Sequence, residues 1–326
     1  MSKVRNLAVL TSGGDSPGMN ACIRSVVRAA LYHNITPYGI QDGFKGLLNN
    51  ELKEFTYHDV SNILNHGGTI LGTARCPEFH HQESRSIAFE NLESRDIDAL
   101  IVVGGDGSFR GAQALATEHD VRVIGIPGTI DNDINGTEYT IGFDTACNTI
   151  IENIDRIRDT AASHNRIFLV EVMGNNSGIL ALNTAAASGA EEVFMPEKNE
   201  DLLEIKTKIS RAIAANKSSI IVVAEGDQIG GAKEVYNYLK EFNLVDKVRV
   251  SILGHLQRGG SPSFLDRLYA ALFGELAVVE LIKGNSNLMV GLINGTVSTC
   301  SLDLAMEKSA PKNMDYLKLI RKLSIY

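Results

Sequence analysis

Short runs of consecutive apolar residues alternate along this chain with longer segments in which apolar positions recur at helical spacing. The runs at 7–10, 99–103, 121–126, 166–172, 219–224 and 248–253 predict strands, and several are apolar at successive positions, as strands buried on both faces are. Between them, 19–31, 111–117, 145–162, 201–215, 232–242 and 263–282 predict helices. This alternation builds βαβ units and hence parallel sheets. In such sheets ligands sit beyond the carboxyl ends of the strands. Segments 11–18, 104–108, 127–133, 173–178 and 254–260, rich in Gly, Asp, Asn and Ser, fall at those ends.

A length of 326 residues suits two α/β domains. No low-complexity linker or internal repeat separates them, so their boundaries are read from the motifs. The net charge of −8 argues against nucleic-acid binding by counterion release, and any anionic ligand must be held by local cations. Cys22, Cys76, Cys147 and Cys300 lie far apart with no CxxC pair, which supports neither a zinc site nor a thiol redox motif. Apolar stretches are short and the N-terminus runs straight into a strand-like segment, so a cytoplasmic protein without membrane partners is expected.

The turn at Gly13 and Gly14 is expected to end a strand and open a helix, so its backbone N–H groups can face an anion with the helix dipole behind them. A tight turn needing positive φ is the alternative. The 104–108 loop repeats the logic and adds Asp106, a carboxylate at the phosphate end, as a Mg²⁺ site requires. Asp131 and Asp133 are two apart, so in an extended segment both carboxylates face one side, one as a base and the other supporting it or a metal. An Asp/Asn turn would carry the same residues. Arg75, Arg166, Arg249, His255 and Arg258 fall on loops or strand starts, where guanidinium forks can clamp phosphate oxygens. His58, His80 and His81 lack metal-ligand spacing.

Taken in order, segments 10–20, 67–75, 104–108, 127–133, 154–159 and 254–262 resemble the bacterial ATP-dependent 6-phosphofructokinase family (the phosphofructokinase A family) over nearly the whole chain. GGDG alone also occurs in NAD and diacylglycerol kinases; the ordered set is what is specific. The resemblance implies an α/β fold of two similar Rossmann-like lobes with parallel-rich sheets and the active site in the cleft between them. Residues 1–141 and 254–305 would form the larger, ATP-binding lobe, and 142–253 and 306–326 the smaller, sugar-phosphate-binding lobe. The implied reaction is ATP-dependent phosphorylation of fructose 6-phosphate at its 1-hydroxyl, a step of glycolysis.

Carried over residue by residue, the resemblance puts ATP phosphates at Gly14, Arg75, Cys76 and the loop of Gly105, Asp106, Gly107 and Ser108, with Mg²⁺ on Asp106. Asp131 would take the proton from the sugar hydroxyl, Arg75 would bridge the transferring group, and Thr129, Ile130 and Asp133 would lie beside it. Met173, Gly174, Asn175 and Glu225 would contact the sugar. His255, Leu256, Gln257 and Arg258 would bind from the same chain, and Arg166 and Arg249 would reach the 6-phosphate from a neighbouring subunit, which implies a homotetramer. Arg24, Arg28, Arg158, Glu191 and Lys217 would remain of an allosteric effector pocket.

The chain departs from the family pattern at Asn175, where Arg is usual, at Glu51 in place of Arg, and at Asn216 and Ser218 in place of Lys and His. The last three predict a weak response to ADP or phosphoenolpyruvate. A pyrophosphate-dependent relative would carry Asp at Gly107 and Lys at Gly128; neither is present, and the missing side chains are expected to leave room for the α-phosphate and nucleoside of ATP. A non-catalytic regulatory paralogue is the remaining alternative, suggested by Asn175 alone.

Overall fold

The computed structural model describes residues 4–198 and 202–324. From the N-terminus run β1 (Asn6–Thr11), α1 (Met19–Tyr32), β2 (Thr36–Ile40), α2 (Gly43–Leu48), β3 (Leu52–Glu54), α3 (Gln82–Glu93), β4 (Ala99–Gly104), α4 (Asp106–Glu118), β5 (Arg122–Pro127) and α5 (Phe143–His164). There follow β6 (Ile167–Val172), α6 (Ile179–Ser188), β7 (Glu192–Phe194), α7 (Leu202–Ala214), β8 (Ser219–Ala224), α8 (Ala232–Lys240) and β9 (Val248–Ile252). The chain ends with α9 (Phe264–Ile282), β10 (Leu288–Ile293), β11 (Thr296–Ser301), α10 (Leu302–Met306) and α11 (Asp315–Leu323). No helix among the described residues is long and apolar enough to cross a membrane.

Two compact units result. Met1–Thr145 with Arg258–Ser309 form the first, and Ala146–Gln257 with Ala310–Tyr326 the second. These divisions fall after 145, 257 and 309, where the motifs drew them after 141, 253 and 305.

In the first unit the sheet order is β11-β10-β5-β4-β1-β2-β3. The five inner strands are parallel, and β3 and β11 close the edges antiparallel. Alternate residues of each inner strand serve opposite faces: Leu7, Val9, Ile101 and Val103 pack with α1 and α9, while Ala8, Leu10, Leu100 and Val102 pack with α2, α3 and α4. That double burial is why these strands read as unbroken apolar runs. Chain order reverses between β1 and β4, so the loops after these two strands flank a topological switch point.

The second unit holds a wholly parallel sheet ordered β7-β8-β6-β9. Ile167, Leu169, Ile221 and Val223 pack on one face against Ile205, Ile209, Val235 and Leu239 of α7 and α8. Here the switch point lies at β6, between β8 and β9. The first residue of the helix expected over 201–215 lies outside the described residues.

Candidate active site

At the switch point of the first unit, the β1 and β4 loops lie against each other. Ser12 donates its N–H to Val103 O (3.0 Å), and a Cβ on Gly104 would come within 2.5 Å of Ser12 O. The two loops differ in a way the sequence did not disclose. After β4 the helix starts at once, so Asp106, Gly107 and Ser108 are the first turn of α4 and not a loop. After β1, residues 12–18 intervene before α1, so Gly13 (φ 87°) and Gly14 do not themselves open a helix. Asp106 thus carries its carboxylate at a helix N-terminus, with an ion pair to Arg110 one turn on (3.6 Å). Its side chain stays 62% exposed, so the carboxylate remains accessible.

Gly107 faces open space, with nothing within 4 Å of where a Cβ would stand. Gly128 does not, although both glycines were expected to leave room for nucleotide. A Cβ there would lie 2.9 Å from Val103 Cγ1 and 3.3 Å from Met19 Cε, so packing is what requires glycine at 128. Gly14 is constrained from outside. The Arg258 guanidinium lies over its Cα, 2.3 Å from a would-be Cβ, and donates to Asp15 O at 3.0 Å.

Arg75 is exposed, and Cys76 caps a short 3₁₀ turn, Pro77–His80. Burial raises the Cys76 thiol above its ordinary range, so it is a neutral contact. Arg85, buried beneath the turn, donates to Phe79 O (2.8 Å) and holds Glu118 through two bonds of 2.7 and 2.5 Å.

Beyond β5, Asn132 has φ 51°. The segment is therefore not extended through 132, and the expectation that Asp131 and Asp133 share a face by strand alternation fails there. Asn enters this left-handed region at low cost. Asp131 N–H donates to Thr129 Oγ1 (3.2 Å), and Thr140 Oγ1 donates to Thr129 O (2.6 Å). Asp131 and Asp133 are half-buried, whereas Ile130 is fully buried, leaving only its backbone to a ligand.

A residue missed in the sequence holds this region together. Asp266, fully buried in the first turn of α9, accepts through Oδ1 from Tyr139 Oη (2.7 Å) and Gly142 N (2.6 Å). Its Oδ2 accepts from Thr145 N (2.8 Å) and Thr145 Oγ1. Burial raises its carboxyl above the ordinary carboxylate value, against these bonds, and burial and Asp266 together push the Tyr139 hydroxyl up. An Asp three residues into a predicted helix was the available signal, but any N-terminal helix turn favours Asp.

In the second unit, the loop after β6 is tied to both neighbouring strands' loops. Met173 N–H donates to Gln257 Oε1 (3.1 Å) and Asn175 N–H to Glu225 Oε1 (2.9 Å). Gln257 is fully buried and also donates to Gly254 O (2.9 Å), so its side chain supports backbone and does not project as a ligand. Glu225, His255 and Leu256 are exposed. Asn175 occupies a left-handed position (φ 51°) beside Gly174 (φ 139°), where Asn is better suited than most residues.

Arg166 precedes β6, while Met173 follows it, so the six-residue strand, about 20 Å long, separates them. Arg249 lies opposite Phe168 in the register, near the same amino end, and donates to Asp246 O (3.1 Å) and Val248 O (2.7 Å). Within one unit, then, Met173, Asn175, Glu225 and His255 are gathered and Arg166 and Arg249 are not.

The phosphofructokinase family model matches residues 6–281. The chain belongs to the phosphofructokinase family. It is 47% identical over 326 residues to ATP-dependent 6-phosphofructokinase 2 of Bacteroides thetaiotaomicron, covering 100% of both chains. With ATP-dependent 6-phosphofructokinase of Macrococcus caseolyticus it shares 52% over 296 residues, 90% of this chain and 92% of the other. The structure of phosphofructokinase from Saccharomyces cerevisiae superposes with a TM-score of 0.84 at 34% identity, covering 98% of this chain and 48% of that one; this chain thus spans about half of that yeast protein.

The residues carried over as a phosphofructokinase effector pocket fall in two groups. Arg24 and Arg28 share a face of α1 in the first unit, with Arg28 over the Tyr57 ring at 5.7 Å; burial and then repulsion from Arg28 lower Arg24 below its ordinary value. In the second unit Arg158 donates to Ser188 O (2.8 Å) and Gly189 O (3.1 Å) and lies 3.7 Å from Glu191. Glu191 in turn accepts from Ile220 N at 2.6 Å.

Proposed function

We propose that this chain is an ATP-dependent 6-phosphofructokinase, transferring the γ-phosphoryl of ATP to the 1-hydroxyl of fructose 6-phosphate to give fructose 1,6-bisphosphate and ADP. The observation that carries the reading is 47% identity along the full length of a curated enzyme of that name. Phosphoryl transfer asks a protein for position and charge neutralisation more than for covalent chemistry. Asp131 accepts the proton of the attacking hydroxyl, with Thr129 and Asp133 beside it. Arg75 neutralises charge on the transferring group. Gly14, Cys76 and the 105–108 turn receive the nucleotide, where N–H groups at the start of α4 favour anionic oxygens. Asp106 would hold Mg²⁺, which supplies charge neutralisation to the β- and γ-phosphates.

On the sugar side, Met173, Gly174, Asn175 and Glu225 take the fructose, and His255, Leu256 and Arg258 its phosphate end, with Gln257 acting through the backbone it supports. Arg166 and Arg249, at the amino end of the second sheet, serve a neighbouring subunit of a homotetramer. The enzyme works in the cytoplasm. Arg158 is already engaged by two carbonyls and Glu191, which with Glu51, Asn216 and Ser218 supports a weak response to ADP and phosphoenolpyruvate.

The test is a coupled assay of purified protein with fructose 6-phosphate and Mg²⁺, comparing ATP with pyrophosphate. Turnover with ATP and little with pyrophosphate is expected, because Gly107 leaves the nucleotide side open. The opposite ratio overturns the donor assignment, and no turnover with either favours the non-catalytic paralogue.

A further inference from the structure

The 65–76 segment that delivers Arg75 has almost no regular secondary structure before the Pro77–His80 turn, yet it does not hang free. Two polar side chains buried in the first unit hold it. Asn20, only 1% exposed in the first turn of α1, donates through Nδ2 to His66 O and Gly67 O, both at 3.1 Å. Its Oδ1 accepts from Ile70 N at 2.7 Å. The three partners fix the amide's orientation, since a reversed amide would set its oxygen against two carbonyls and its NH₂ against an N–H.

Thr11, fully buried at the end of β1, supplies the second hold. Its one hydroxyl proton goes to Gly72 O (2.7 Å), so the contact with Thr69 Oγ1 (2.9 Å) must have Thr69 as donor. Thr69 Oγ1 is then left to accept from Leu71 N (3.2 Å). Every proton in this chain of bonds has one acceptor. The segment is further closed onto the nucleotide-side loop by Thr73 Oγ1 donating to Gly13 O at 2.7 Å. At its other end, Gly67 lies so close to Gly260 that a Cβ would stand 2.3 Å from Gly260 O, and Ser261 Oγ donates to Asn65 O at 2.9 Å.

We propose that Asn20 and Thr11 are positioning residues for phosphoryl transfer, and that they act through Arg75 by locking the 66–72 backbone that aims it. This rests on Arg75 having the role proposed above. Arg75 is exposed and borne on irregular backbone, so its direction depends on how the segment before it is held. Two fully satisfied buried side chains on β1 and α1, the rigid elements of the switch point, hold it at a distance of three to nine residues in sequence. A structural staple with no catalytic consequence would instead be expected to lower stability and leave turnover alone.

The experiment compares Asn20→Ala, Thr11→Val, Arg75→Ala and the doubles Asn20→Ala/Arg75→Ala and Thr11→Val/Arg75→Ala, measuring kcat and both KM values. Thr11→Val keeps a β-branched side chain of similar volume in β1 and serves as the test if Asn20→Ala does not fold. Each single positioning variant is expected to lose roughly 10- to 100-fold in kcat, the scale of an ångström of misplacement, with KM values changed less than about threefold. In the Arg75→Ala background the same substitution should change kcat less than about twofold, because its target is gone. If Arg75→Ala loses activity but Asn20→Ala and Thr11→Val do not, or if the losses multiply in the doubles, the inference is overturned and the functional reading stands. If Arg75→Ala itself retains normal turnover, it is the role of Arg75 that fails.

Discussion

Replacing Asp266 by Asn should destabilise the first unit, by an amount the geometry sets. The carboxylate takes two backbone N–H groups, one on each oxygen: Gly142 on Oδ1 and Thr145 on Oδ2. Tyr139 and Thr145 also donate hydroxyls, but a hydroxyl can rotate and accept. An N–H cannot. Asn has one acceptor oxygen, so whichever way its amide sits, one of the two N–H groups meets an NH₂. A buried donor left without an acceptor costs about 1–3 kcal/mol. Asp266→Asn also removes a charge that burial disfavours, which places the expected loss toward about 1 kcal/mol, whereas Asp266→Ala strands both N–H groups and should cost about 2–6 kcal/mol. The pH dependence has a definite sign. Because burial raises this carboxyl above its ordinary 3.8, the folded state holds the proton more tightly than the unfolded one, and Asp266 adds stability as pH falls from above its folded value toward 3.8. Asn cannot titrate, so the gap between wild type and Asp266→Asn should widen on acidification. Urea unfolding followed by circular dichroism at pH 7 and at about pH 4 measures it, the lower pH lying near the ordinary value at which the gain is complete. A variant within about 0.5 kcal/mol of wild type at both pH values, the ordinary scatter of surface substitutions, or a gap that narrows, would refute the reasoning.

Asp131→Ala should lower kcat by about 10² to 10⁴ in the coupled assay while ATP binding, read by calorimetry, stays near normal, as loss of a general base predicts. Gly107→Val should fold normally, since nothing lies within 4 Å of its Cβ, and raise KM for ATP; an unchanged KM would show that the open space at 107 is not nucleotide space. The bonds from Arg85 hold Glu118 below its ordinary 4.5, so this pair stabilises the fold above that pH and loses its effect as pH falls through the depressed value. Glu118→Gln should therefore be less stable than wild type at pH 7 but lose less on acidification below 4.5, a convergence that parallel pH melts would reveal or exclude.

The sequence by itself determined the core of both sheets, because strands buried on both faces must be apolar at successive positions, and the runs at 7–10, 99–103 and 219–224 could satisfy little else. It also placed the glycine- and aspartate-rich segments at the carboxyl ends of strands, where they follow β1, β4, β5, β6 and β9. Edge elements escaped it. β3 is three residues long with two exposed, and β11 has only exposed and half-buried positions, so neither carries an apolar signature. Local backbone settled other matters: the left-handed Asn132 breaks the alternation that would have put Asp131 and Asp133 on one face, and the start of α4 at Asp106 turns an expected loop into a helix N-terminus. Tertiary structure alone decided what Asn20, Thr11, Gln257 and Asp266 do. Their long-range partners lie 46 to 127 residues away, for example His66 for Asn20 and Tyr139 for Asp266. A buried polar side chain is costly until its hydrogen bonds are made, and in this chain those bonds exist only after β1, α1 and α9 have brought the loops to them.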